Sequence, residues 1–149
     1  MPGGTYTLVL ERDASGPISV GALGETEFPA GWYAYTGSAL GSGGFGRIDR
    51  HRAVAAGDND TRHWHIDYLL GDAATTVDRV VTTEADVECA VARRVDGPTA
   101  DGFDRVDAFG CSDCDCRSHL IRHEQQERLI DAVTDAHEAA RDEAAAATE

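Results

Sequence analysis

Residues 31–51, GWYAYTGSALGSGGFGRIDRH, restrict the possible folds more than any other stretch of the chain. Trp32 to Ser38 is an aromatic, apolar run of strand character that stops at Thr36-Gly37-Ser38. A loop with four more glycines follows, and the pattern turns helical from about Phe45 to Ala56. Phe45, Ile48 and Val54 fall roughly on one side of that helix, while Arg47, Arg50 and His51 arrive at helical spacing near its start. A strand, a glycine-rich turn and a helix in so few residues point to a layered domain in which a sheet carries helices.

The flanking sequence extends this pattern. Thr5 to Glu11 alternates and is rich in β-formers, so it reads as a first strand, with Asp13 to Gly16 as a turn and Ile18 to Gly24 as its hairpin partner. Pro29-Ala30-Gly31 turns the chain into the 32–38 strand, and Gly57 to Asp60 closes the first helix. Periodicity cannot assign HWHIDYLL, His63 to Leu70. Val77 to Thr83 is a strand, and Glu84 to Val95 a helix with Val87, Val91 and Val95 inward. Residues 96–104 read as loop, 109–117 as an irregular cysteine-bearing stretch, and Ser118 to His123 as a last short strand. From about Glu124 an amphipathic helix presents Leu129, Ile130 and Val133; its Ala-rich end has nothing to bury and is expected to fray. The expected fold class is α+β, a small, mainly antiparallel central sheet flanked by helices. The expected division is a domain over 3–123 followed by a C-terminal amphipathic helix and acidic tail over 124–149.

A chain of 149 residues, 42% apolar, suits one core. No apolar run approaches the ~18 residues a membrane span needs, and Met1-Pro2-Gly3-Gly4 lacks a signal-peptide pattern. A cytoplasmic protein with no membrane partner is therefore expected. There are 27 acidic and 13 basic residues, a net charge of −14, and every basic residue is Arg. The periodic apolar segments argue against a disordered acidic chain. Cationic partners would explain the charge. A halophilic cytoplasm explains it better, because concentrated salt screens the carboxylates and the surface avoids lysine's apolar stem.

Three further features fall in a fixed order. Gly4-Thr5-Tyr6 opens the first strand, Tyr35-Thr36-Gly37 closes a later one, and Arg47 and His51 sit four apart on one helical face, with Glu88 on a separate helix. This ordered set resembles the GIY-YIG nuclease superfamily, whose first motif is Gly-Ile-Tyr and whose second is Tyr-Ile-Gly. Here both middle positions are Thr, and the Asn that many of these nucleases carry after the Glu helix is not placed. The resemblance is closer to an archaeal branch, a domain of unknown function also seen fused to endonuclease III. HWHIDYLL and CSDCDCRSHL carry that likeness, which covers residues 3 to 123.

The resemblance implies a metal-dependent nuclease acting on DNA, with RNA as a second substrate class and DNA repair as a setting. Tyr6 would hold or deprotonate a water, with Tyr35 beside it. Arg47 would offer its planar fork to the phosphate and His51 would relay protons. Glu88 would hold one Mg²⁺ or Mn²⁺ through a single carboxylate. Gly37, Ser38, Arg50 and Arg52 would line the substrate. Each also has a plainer reading: strand tyrosines are usually core, and helical Arg/His pairs or Glu are often solvated faces.

A second cluster joins His63, His65 and Asp67 with Cys114, Cys116, Arg117 and His119. Cys111, Cys114, Cys116 and His119 are zinc-ligand types, although the spacing is not a standard knuckle. Structural Zn²⁺, a role beside the nuclease centre, and simple packing all remain open, as does an Asp67–Arg117 pair. Two other functions compete with the nuclease: a non-catalytic nucleic-acid-binding module, and a zinc-stabilised interaction domain. Protein partners are not indicated.

Overall fold

The computed structural model describes residues 3–39, 44–58, 65–96, 103–105 and 119–147. In chain order the elements are β1 (Gly4–Arg12), β2 (Gly16–Ser19), β3 (Glu25–Phe28), β4 (Gly31–Ala39), α1 (Gly46–Ala56), α2 (His65–Leu70), β5 (Thr75–Thr83), α3 (Glu88–Asp96), β6 (Phe103–Arg105), β7 (Leu120–His123) and α4 (Gln126–Ala147). The architecture is α+β, as expected.

The main sheet has five strands in the order β5-β1-β4-β7-β6, and every neighbouring pair is antiparallel. β1 is central. It pairs with β4 along its whole length, Gly4 opposite Ala39 and Arg12 opposite Gly31. Its pairing with β5 shifts between Val9 and Leu10, where β5 bulges around Asp78.

The two-residue period of β1 divides its side chains between two cores. Tyr6, Leu8 and Leu10 join Tyr33 and Tyr35 of β4 in a core closed by Val54 of α1, by Ile66, Leu69 and Leu70 of α2, and by Val20 and Phe28. Val9 and Ala34 point the other way, to Val91 of α3, Ile121 of β7 and Leu129, Val133, Ala136 and Ala140 of α4. Truncating a fully buried side chain such as Leu8 to Ala would cost about 2–5 kcal/mol. The second core also holds a polar chain. The Thr7 and Thr36 hydroxyls lie 2.9 Å apart, and His137 of α4 reaches Thr7 through Nε2 and Thr83 through Nδ1, each at 2.8 Å.

Several expectations need correction. The segment after the first turn does not pair with β1. β2 and β3 form a separate two-stranded sheet, and Gly21–Leu23 is a single 3₁₀ turn. Pro17 lacks a ladder donor, and β1, buried on both faces, is already flanked by two long strands. Arg12 fixes the hairpin instead, donating to the Phe28 carbonyl at 3.2 Å and to Asp72 at 2.9 Å. HWHIDYLL resolves as a helix over His65–Leu70. The helix expected from Glu84 starts at Glu88, because 84–86 bend tightly after β5. Part of the 96–104 loop is strand β6, and α4 runs to Ala147. α1 ends where expected: Gly57 is left-handed at φ 83°, and the N–H groups of Gly57 and Asp58 close on Val54 and Ala53 at 3.1 and 2.9 Å. No described helix is long and apolar enough to cross a membrane.

Candidate active site

The motif residues converge where the start of β1 lies beside the end of β4. Tyr6 is opposite Gly37 in the β1–β4 register. A Cβ on Gly37 would sit 2.6 Å from Tyr6 Oη and 2.7 Å from its Cζ, so the glycine leaves the space the phenol crosses. Beyond it, Tyr6 Oη meets Nε2 of His51 at 2.6 Å. The Tyr6, Tyr35 and His51 rings form a triangle, with centroids 6.5, 5.4 and 6.4 Å apart. All three are buried, at 1%, 8% and 0% exposure.

α1 supplies the charge. Arg47 donates to the Ser38 carbonyl at 2.6 Å, which holds its guanidinium at the end of β4. Arg50 binds Asp67 with both nitrogens, at 2.8 and 3.0 Å. Asp67 thus has Arg50 as a partner, and Arg117 lies outside the described residues. Arg52 is exposed on α1. His65 is half-buried at the start of α2.

Burial dominates the electrostatics. It pushes the Tyr6 phenol well above its ordinary value, with Arg47 opposing and Glu88 and Asp67 reinforcing. Tyr35 is raised by burial and by the neighbouring Tyr6. Burial takes His51 down to about 4 against the pull of Asp67, while Arg50 and Arg47 push it down too. Both phenols are therefore protonated and His51 is neutral near pH 7. With the ring proton on Nδ1, Tyr6 O–H donates to Nε2. Tyr6 thus feels both the Arg47 cation and the Glu88 carboxylate, with opposite effects on its phenol.

Glu88 opens α3, where a carboxylate also suits the positive end of the helix. Its side chain is 27% exposed, and its Oε2 lies 3.6 Å from Nδ1 of His119. That Nδ1 lies 3.0 Å from the Thr36 carbonyl, and the Thr36 N–H donates to the His119 carbonyl at 3.0 Å. Parts of the two sequence clusters thus belong to one place: Asp67 enters through Arg50, and His119 through Thr36 and Glu88. His63, Cys111, Cys114, Cys116 and Arg117 lie outside the described residues. Among the described residues, no three His, Cys, Asp or Glu side chains group as a metal site. Glu88, a hard oxygen donor partly open to solvent at the start of α3, fits a Mg²⁺-like ion that keeps most of its waters.

The sequence did not reveal the work of the two middle threonines. Thr5 and Thr36 point to the second core: Thr5 bonds the turn before α3, and Thr36 enters the polar chain that runs through Thr7 and His137 to Thr83. His137 had a signal, since it lies four residues after Val133 in the apolar stripe of α4.

No curated protein and no solved structure matches the chain. The family described as Domain of unknown function DUF123 matches residues 5–142, from the first motif through most of α4. The chain belongs to the Domain of unknown function DUF123 family.

Proposed function

We propose that the chain is a metal-dependent nuclease of GIY-YIG type that hydrolyses phosphodiester bonds in DNA. The observation that carries this reading is the 2.6 Å bond from Tyr6 Oη to neutral His51, with the Arg47 guanidinium and the Glu88 carboxylate acting on the same phenol.

Arg47 sits where it can donate to a phosphoryl oxygen while keeping its bond to the Ser38 carbonyl. Tyr6 cannot act as a base while protonated. Its proton has an acceptor in Nε2 of His51, so Tyr6 can pass that proton on as it takes one from water, and no free phenolate has to form. A water gives its proton to Tyr6 Oη as the Tyr6 proton moves to His51, the hydroxide attacks phosphorus, the P–O ester bond breaks, and the departing oxygen takes up a proton from solvent. Tyr35 closes the other side and excludes bulk water. Glu88 would hold one Mg²⁺ or Mn²⁺, which supplies charge relief to the phosphate and leaving oxygen. His119 flanks the carboxylate from the β7 side.

The acidic, lysine-free composition supports a setting in concentrated salt, such as a halophilic cytoplasm. Counterion release contributes little to DNA binding there, so local contacts carry it. A second reading, a non-catalytic nucleic-acid-binding module, draws support from the 1% exposure of Tyr6. The test is incubation of duplex, branched and single-stranded DNA and of RNA in molar KCl, with Mg²⁺, Mn²⁺ or a chelator. Cutting that requires the metal supports the nuclease. Binding without cutting, unaffected by Glu88→Ala, would favour the module.

A further inference from the structure

The Thr5 hydroxyl is fully buried and makes two bonds to one short turn. It donates to the Ala85 carbonyl at 2.9 Å and accepts the Val87 N–H at 3.0 Å. Val87 directly precedes the first residue of α3, which is Glu88, and its carbonyl receives the Val91 N–H at 2.9 Å. Val87 is thus the N-cap residue of α3, with no side-chain oxygen of its own for capping. The turn is tight in other ways. Ala85 N–H donates to Thr83 at 2.8 Å, and Val87 N–H is shared with the Ala85 carbonyl at 3.1 Å. A Cβ on Gly4 would fall 2.2 Å from the Thr83 carbonyl oxygen and 2.7 Å from the Ala85 nitrogen, so β1 lies directly against this turn.

We infer that Thr5 is a positioning residue for Glu88: by bonding residues 85 and 87 to β1, it fixes where the Glu88 carboxylate stands relative to Tyr6, the next residue of the same strand. The first motif then has three separate tasks. Gly4 lets the turn approach, Thr5 ties it down, and Tyr6 enters the site from the opposite face. A β-branched hydrocarbon at position 5 would fill the same volume in a strand but could not hold the turn. The inference rests on the proposed role of Glu88 as the holder of a divalent ion.

The experiment measures Mn²⁺ affinity by calorimetry, amide exchange at Val87 and thermal stability in molar KCl, for wild type, Thr5→Val, Thr5→Ser and Glu88→Ala. Thr5→Val is expected to speed exchange at Val87 and weaken Mn²⁺ binding roughly 10–100-fold, as loss of a group supporting a metal ligand does. Thr5→Ser, which keeps the hydroxyl, should restore both. If Thr5→Val does not fold, Thr5→Ala removes the hydroxyl without bulk and carries the same expectation. Faster exchange at Val87 with unchanged Mn²⁺ affinity would overturn the inference and leave Thr5 a purely structural tether. Equal Mn²⁺ binding by wild type and Glu88→Ala, or none by wild type, would overturn the role of Glu88 and the inference with it.

Discussion

Gly37→Ala adds one methyl group where the Tyr6 ring already lies. The new Cβ would stand 2.6 Å from Tyr6 Oη, 2.7 Å from Cζ and 3.2 Å from Tyr35 Cε2. Carbon contacts settle near 3.5–4.0 Å, so the Tyr6 ring must retreat by about 1 Å. It has nowhere to go: it is 1% exposed and bonded at 2.6 Å to a histidine that is itself fully buried. Without this neighbour, alanine in a strand interior would gain roughly 0.5–1 kcal/mol over glycine. With it, overpacking is expected to cost about 1–3 kcal/mol. Urea unfolding of the single variant and of the pair with Tyr6→Val separates the two effects. In the Tyr6→Val background the same methyl should be neutral or stabilising, a coupling of about 2–3 kcal/mol. An equal effect of Gly37→Ala in both backgrounds would refute the claim that this glycine exists to admit the phenol.

Arg50→Ala should cost about 3–5 kcal/mol in unfolding free energy, because it strips the bidentate guanidinium from the fully buried Asp67. The double variant Arg50→Ala/Asp67→Asn should recover much of that loss. Arg47→Lys keeps the charge but not the fork, and is expected to lower kcat about 10²–10³-fold with little change in stability. Burial holds His137 at about 4 against an ordinary 6.5, so the unfolded chain takes up its proton first on acidification. Stability linked to this group is complete above pH 6.5, falls as pH drops toward 4 and is flat below; the span is about 3 kcal/mol. His137→Gln should remove that part of the slope in unfolding experiments at a series of pH values.

The strands and helices that carry the motifs were legible because their signals are local. β1 alternates Thr5, Thr7 and Val9 with Tyr6, Leu8 and Leu10, β4 opens on an aromatic run, α1 ends in a left-handed glycine, and α4 repeats its apolar positions over many turns. The failures come from competition that is not local. The 18–24 segment has strand composition, yet β5, far along the chain, takes the place beside β1. α3 starts late because a hydroxyl eighty-two residues earlier holds its N-cap residue. The convergence of Tyr6, Tyr35, Arg47 and His51 could be expected from the family resemblance that their ordered motifs carry, not from spacing alone. The approach of His119 to Glu88 could not, since it depends on β7 entering the sheet beside β4. Thr5 and Thr36 stood out in the sequence only as departures from the isoleucines of the motifs they resemble; their hydroxyl partners on the far face of the sheet reveal a use.

The proposal stands or falls on whether Tyr6 and Glu88 serve one reaction. The most direct measurement is the single-turnover rate of DNA cleavage at saturating Mg²⁺ or Mn²⁺, in molar KCl, for wild type, Tyr6→Phe and Glu88→Gln. Both variants keep the local shape and should fold. Each should slow cleavage by about 10²–10⁴-fold, the scale of losing a general base or a metal ligand. Cleavage at the wild-type rate in either variant would contradict the proposed centre.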